Sequence, residues 1–318
     1  MNRKWAFIFP GQGAQYVGMA KDFYEQFRIA KDTFDEADEI LGAHFSQLIF
    51  TGPSEDLTLT KNSQVAIYIA SVAILRTLVE QMPDIHPYVC AGLSLGEYTA
   101  LTAASKLSFA DGLKLVQKRA QFMNDACEAF PGTMSVVLGM EPESVGDAIK
   151  ALSDVWVANI NCPGQVVISG SMQGIASAAV LLKEKGAKRV LPLDVSGAFH
   201  SGLMKQAQER LSSYIMAAPL QSSAVRLVMN VPGGFVDSLE EIQKCMISQV
   251  TCPVLWEKGI REMEKEGINS YLEIGCGKTL TGMNKRIGVS APTFSLEKVA
   301  DLEEFSKCKD ADYAAIEK

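Results

Sequence analysis

Short apolar runs alternate with longer segments whose apolar residues recur at helical spacing. Ala6–Phe9, Tyr88–Ala91, Arg226–Met229 and Tyr271–Ile274 read as buried strands, because each is a brief apolar run bounded by turn formers. Ser63–Glu80, Phe109–Ala129 and Leu239–Gln249 read as amphipathic or core helices. Strands that alternate with helices predict an α/β fold built on a largely parallel sheet. The most apolar stretch, Val65–Val79, is interrupted by Tyr68, Ser71, Arg76 and Thr77. It therefore predicts a core helix and no membrane span.

One segment breaks this rhythm. From Thr133 the order is strand (Met134–Leu138), helix (Pro142–Leu152) and strand (Val155–Ile160). A second set follows, with strand (Val166–Ser169), helix (Gly174–Lys185) and strand (Arg189–Leu193). This β-α-β-β-α-β order is that of a ferredoxin-like unit, with Asn161-Cys162-Pro163-Gly164 supplying turn chemistry for its central hairpin. The expected organisation is a small ferredoxin-like subdomain at 130–195, inserted into a larger α/β-hydrolase-like body formed by 1–129 and 196–318.

Composition narrows the class. The 318 residues are 47% hydrophobic and 21% charged, as expected of a globular enzyme. A net charge of -7 and a pI near 5.2 give no footprint for nucleic acid. Seven cysteines, an odd number with no C-x-x-C pair, fit neither a disulfide framework nor a zinc site. Reduced thiols in a cytoplasmic protein are the expectation. The apolar run Trp5–Phe9 is too short for the core of a signal peptide. No metal or cofactor motif is present.

The chemistry concentrates in Gly92-Leu93-Ser94-Leu95-Gly96, placed between a strand and a helix. A Gly-x-Ser-x-Gly turn in that setting is a nucleophile elbow: it lifts the serine to the mouth of a helix, where amide N–H groups favour an oxyanion. A serine needs an adjacent base, and the chain has three histidines, His44, His86 and His200. His86 precedes the strand that leads to Ser94, at the end far from the elbow. His44 sits in a link between helices. His200 lies in the small-residue loop Ser196–Gly202, so it is the best-placed base, although a loop histidine is as often merely solvated. The loop Phe9-Pro10-Gly11-Gln12-Gly13 after the first strand matches no nucleotide-binding spacing. It reads either as a plain turn or as half of an oxyanion hole, with the amides of Gln12 and Leu95 as donors.

Longer motifs run through the chain in a fixed order: F-P-G-Q-G-x-Q-x-x-G-M (Phe9–Met19), G-x-S-x-G-E-Y (Gly92–Tyr98), R-x-x-x-M (Arg119–Met123) and N-x-x-x-Q-x-V-I-S-G (Asn161–Gly170). S-G-x-F-H-S-x-L-M (Ser196–Met204), Q-V-x-x-P-V-x-W (Gln249–Trp256) and E-I-G-x-G-K-x-L-T-G (Glu273–Gly282) follow. Over residues 5–296 this set resembles the malonyl-CoA:acyl carrier protein transacylases of fatty acid synthesis. The resemblance implies a malonyl group carried from coenzyme A to a carrier protein's phosphopantetheine thiol through a covalent acyl-serine. It makes Ser94 the nucleophile, His200 the base, and Gln249 the residue whose backbone carbonyl orients His200. It also makes Gln12 and Leu95 the oxyanion donors, Arg119 the ligand of the malonyl carboxylate, and Phe199 a residue of the malonyl-selective type.

The partners so implied are a coenzyme A thioester and a separate acyl carrier protein, with the enzyme a monomer that needs no cofactor, metal, membrane or nucleic acid. Lys183, Lys185, Lys188 and Arg189 are the expected basic patch for an acidic carrier. The chain departs from the family at Leu93, where histidine is usual. A thioesterase, a non-catalytic scaffold with the same fold, and an acyltransferase serving a polyketide carrier are the competing readings.

Overall fold

The computed structural model describes residues 3–316, with side chains to residue 307. Six strands form one sheet in the order β10-β9-β1-β2-β7-β8. They are β1 (Trp5–Phe9), β2 (Pro87–Gly92), β7 (Arg226–Met229), β8 (Gly234–Val236), β9 (Ser270–Ile274) and β10 (Thr293–Leu296). Every pairing is parallel except β7 with β8.

Strand periodicity explains why this sheet lies inside the protein. Trp5, Phe7 and Phe9 point into one hydrophobic cluster, whereas Ala6 and Ile8 point into another. Leu227 and Met229 against Val228, and Leu272 and Ile274 against Tyr271, repeat the alternation. Both faces are thus covered by helices, which is why these strands read as continuous apolar runs. The Thr60–Gln81 helix, three residues longer at its start than expected, fills one face. By length and composition it is apolar enough to cross a membrane, yet 83% of that stretch is buried inside the protein.

A second, four-stranded antiparallel sheet holds β3 (Gly132–Leu138), β4 (Val155–Cys162), β5 (Gln165–Ser171) and β6 (Arg189–Pro192), in the order β4-β5-β3-β6. With its helices Pro142–Ile149 and Met172–Glu184 it has the ferredoxin-like arrangement. The first helix stops three residues short of the predicted Leu152. Val137, Val166, Ile168 and Val190 face these helices, with Ile175, Ala178 and Leu182 packed on them. The opposite face carries Met134, Val136 and Val167 into the main core. Val254 bridges to Asn159 of β4, with Ile160 and Val254 each contributing an amide to the pairing. The chain that follows Gln249 is thereby fixed to the small sheet.

The short strands β8 and β10, three and four residues long, lie outside the set predicted from the sequence. Among the described residues, six cysteines are unpaired.

Candidate active site

The loops that follow β1, β2 and β7 emerge side by side, because these three strands are parallel neighbours. Carboxyl ends of adjacent parallel strands are where open α/β sheets place ligands. Here they present Pro10–Ala14, Leu93–Ser94 and Asn230.

Ser94 holds φ at 52°. Left-handed backbone costs a residue with a Cβ about 1 kcal/mol, and three hydrogen bonds clamp the turn that demands it. The Leu93 amide donates to the Phe9 carbonyl at 3.0 Å and the Gly96 amide to the Leu93 carbonyl at 2.9 Å. The Ser94 amide donates to Asn230 Oδ1 at 2.7 Å. A Cβ on Gly92 would overlap the Gly96 backbone, and one on Gly96 would overlap the Phe9 carbonyl.

His200 stands 106 residues away in sequence, with Nε2 at 2.8 Å from Ser94 Oγ. Its Nδ1 lies 2.7 Å from the Gln249 carbonyl oxygen. A carbonyl only accepts, so Nδ1 carries the proton and Nε2 is free to take one from the serine. Burial, and then the charge of Arg119, pull the imidazole down to about 4, against main-chain hydrogen bonding at Gln249 and Cys252. The ring is neutral at pH 7, the state in which an imidazole can accept a proton. His44 and His86 are exposed, and neither is among the residues that line the cavity at Ser94.

Arg119 projects from the Phe109–Ala129 helix and is only 1% exposed. Its Nη2 donates to Ser94 Oγ at 3.0 Å and to Gln249 Oε1 at 2.8 Å, while Nη1 donates to Gln64 Oε1. The buried Nε has no hydrogen-bond partner among the described residues. The guanidinium also lies 5.4 Å from the centre of the Tyr98 ring.

A cavity of about 300 Å³ opens between these loops and the inner face of the small sheet. Ser94, His200, Gln12, Leu93, Phe199 and Asn161 are among its walls. Arg119 stands behind this lining and reaches the cavity floor at Ser94 Oγ. Gln12 Nε2 donates to Thr60 Oγ1 at 3.3 Å, and Thr60 Oγ1 is 2.6 Å from Ser196 Oγ. These contacts tie the first loop to the loop that carries His200. The main-chain amides of Gln12 and Leu95 have no acceptor among the described residues.

Leu93 turns its side chain into the second cluster of the large sheet, which also holds Leu280 and Met283 of the cavity wall. Lys183 and Lys185 end the helix that covers the far face of the small sheet, away from the cavity. Arg189 pairs with Leu138 at the outer end of the cavity-side row.

Three polar residues of the site were not singled out in the sequence: Gln64, Asn230 and Glu97. Glu97 is 1% exposed, and its two oxygens accept from the Asn230 amide and Gln249 Nε2, each at 2.7 Å. Burial pushes its carboxyl up to about 7, while the Asn230 amide, Arg119 and the Gln249 amide favour the ionised form. The available signals were polar residues where apolar ones were expected: Gln64 inside a core helix, and Asn230 directly after a buried strand.

Comparison with known proteins agrees with this geometry. The acyl transferase domain family matches residues 6–285. A malonyl CoA-acyl carrier protein transacylase of Bacillus subtilis is 43% identical over 304 residues, covering 94% of this chain and 95% of that protein. The crystal structure of an acyl carrier protein S-malonyltransferase from Vibrio cholerae superposes with a TM-score of 0.91 at 39% identity, covering 95% of this chain and 99% of that one. A type II PKS acyl-carrier protein in complex with its malonyl-transacylase gives a TM-score of 0.90 at 36% identity, over 94% and 97% of the two chains. Sequence and fold agree over nearly the whole length, and this chain belongs to the acyltransferase family of the malonyl CoA-acyl carrier protein transacylases.

Proposed function

We propose that the protein transfers malonyl from malonyl-CoA to the phosphopantetheine thiol of an acyl carrier protein, through a malonyl ester on Ser94. The observation that carries this reading is a serine Oγ held at once by a neutral imidazole at 2.8 Å and by a buried guanidinium at 3.0 Å. The imidazole suits nucleophilic attack. A buried cation beside the nucleophile suits an acyl group that bears its own carboxylate.

In the first half-reaction Ser94 Oγ attacks the thioester carbonyl as its proton passes to His200 Nε2. The negative charge that develops on the carbonyl oxygen is met by the amides of Gln12 and Leu95, which the fold leaves unused. Collapse of the tetrahedral adduct breaks the C–S bond, and the protonated His200 returns the proton to the departing coenzyme A thiolate. In the second half-reaction the carrier's thiol gives its proton to His200 and attacks the ester carbonyl; collapse of the adduct breaks the C–O bond, and His200 returns the proton to Ser94 Oγ. Gln249 fixes the imidazole throughout, in the place a carboxylate occupies in a Ser-His-Asp triad. The malonyl carboxylate takes over donors of Arg119, so that Nη2 is released from Ser94 Oγ.

Intact-mass analysis after mixing with malonyl-CoA tests the reading. A malonyl adduct that maps to Ser94, is absent from Ser94→Ala, and discharges onto a phosphopantetheinylated carrier is expected. Release of free malonate at the same rate with and without carrier would make the protein a thioesterase. Fatty-acid and polyketide carriers, assayed in parallel, distinguish the two pathways.

A further inference from the structure

The polar layer beneath Ser94 is directional, and Glu97, together with the Ser94 carbonyl, sets the direction. Gln249 uses both ends of its side-chain amide. Its Nε2 donates to Glu97 Oε2 at 2.7 Å and to the Ser94 carbonyl at 2.9 Å, while its Oε1 accepts from Arg119 Nη2 at 2.8 Å. On the other side of Glu97, Oε1 accepts from the Asn230 amide at 2.7 Å. Asn230 in turn accepts the Ser94 amide on Oδ1 and donates from Nδ2 to the Gly92 carbonyl, each at 2.7 Å.

An ionised carboxylate has no proton to donate, so it admits only donors. The Gln249 amide must therefore turn its NH2 toward Glu97 and its oxygen toward Arg119. With the amide reversed, NH2 would face the N–H groups of the guanidinium, and Oε1 would face two further oxygens. All members of this layer are buried, where unmatched polar groups cost about 1–3 kcal/mol each.

We propose that Glu97 is a positioning residue for acyl selection: through the polarity of the Gln249 amide it holds the Arg119 guanidinium at Ser94, in the orientation that receives the carboxylate of the acyl group. This rests on Arg119 acting as the carboxylate ligand. Glu97 itself touches neither the substrate nor the reacting atoms. Glu97→Gln preserves shape but replaces one acceptor with an NH2, which must face either the Asn230 amide or Gln249 Nε2. Reversing Gln249 relieves that clash and passes it on to Arg119.

The experiment compares kcat/KM for acylation by malonyl-CoA and by acetyl-CoA at pH 8, above the value of about 7 to which burial raises Glu97, in wild type and Glu97→Gln. The expected result is at least a tenfold fall in the malonyl-to-acetyl ratio, carried mainly by a raised KM for malonyl-CoA. An unchanged ratio, with or without a parallel loss on both substrates, would overturn the proposal. Should Glu97→Gln melt below the assay temperature, Gln249→Met serves instead, since it keeps the backbone carbonyl for His200 and removes only the amide. A preserved ratio in that variant overturns the proposal equally. Wild type with no malonyl preference would defeat the Arg119 reading itself, and the positioning role with it.

Discussion

The imidazole of His200 donates its Nδ1 proton to the main-chain carbonyl of Gln249 at 2.7 Å, so the ring beside Ser94 is oriented by a neutral group. A carbonyl fixes the tautomer as a carboxylate would, but it brings no charge to stabilise the imidazolium. With the ring buried and Arg119 close by, protonation is disfavoured in the resting enzyme.

That sets the acid limb of the pH profile. In the proposed mechanism attack by Ser94 requires neutral His200, so activity should be lost as pH falls through the depressed folded value of about 4. Acylation by acetyl-CoA, which does not engage the carboxylate site, should keep a constant kcat/KM from pH 8 down to about 5. A limb near the ordinary histidine value of about 6.5 would show that the buried environment does not control the base.

Arg119→Ala should abolish the preference for malonyl over acetyl. A charge-assisted hydrogen bond is worth about 1.5–3 kcal/mol, so kcat/KM for malonyl-CoA should fall by about ten- to a hundredfold or more. Acetyl-CoA should change far less. Arg119→Lys should recover only part of the loss, because an ammonium lacks the planar fork. Equal loss on both substrates, measured by steady-state kinetics, would remove Arg119 from acyl selection.

Leu93→His restores the residue usual in the family at a position whose side chain packs into an apolar cluster. The substitution should lower the unfolding free energy by about 1 kcal/mol, the cost of placing a polar ring in a partly apolar site. Turnover should stay within about tenfold of wild type, because Leu93 contributes its backbone to the elbow and makes no bond to Ser94 Oγ or His200. A rise of orders of magnitude in kcat would mean that the leucine limits the reaction.

Gly96→Ala places a methyl group on the Phe9 and Pro10 carbonyl oxygens. Both obstacles are backbone, so neither yields as a flexible side chain would. Destabilisation of about 1–3 kcal/mol or more is expected, together with loss of Ser94 acylation, read from a thermal melt and from intact mass. A variant that melts and acylates like wild type would show that the elbow is looser than its contacts require.

Local rules account for what the sequence alone determined. Short continuous apolar runs marked β1, β2, β7 and β9, because each strand buries both of its faces in apolar clusters. The elbow was legible because its demand for Gly92 and Gly96 is met within five residues. The tertiary structure decided the rest. His200 reaches Ser94 across 106 residues and Gln249 Nε2 reaches the Ser94 carbonyl across 155, distances over which periodicity and turn chemistry carry no information. Without the family motifs, Arg119 would read as one more charged residue on a helix face; its burial against Gln64 and Gln249 exists only once three segments have packed. Glu97 is the plainest case. Next to the elbow in sequence, it acquires its orienting role only when β7 brings Asn230 to one of its oxygens and the Leu239–Gln249 helix brings an amide to the other. A carboxylate's effect depends on which donors surround it, and the fold alone supplies them.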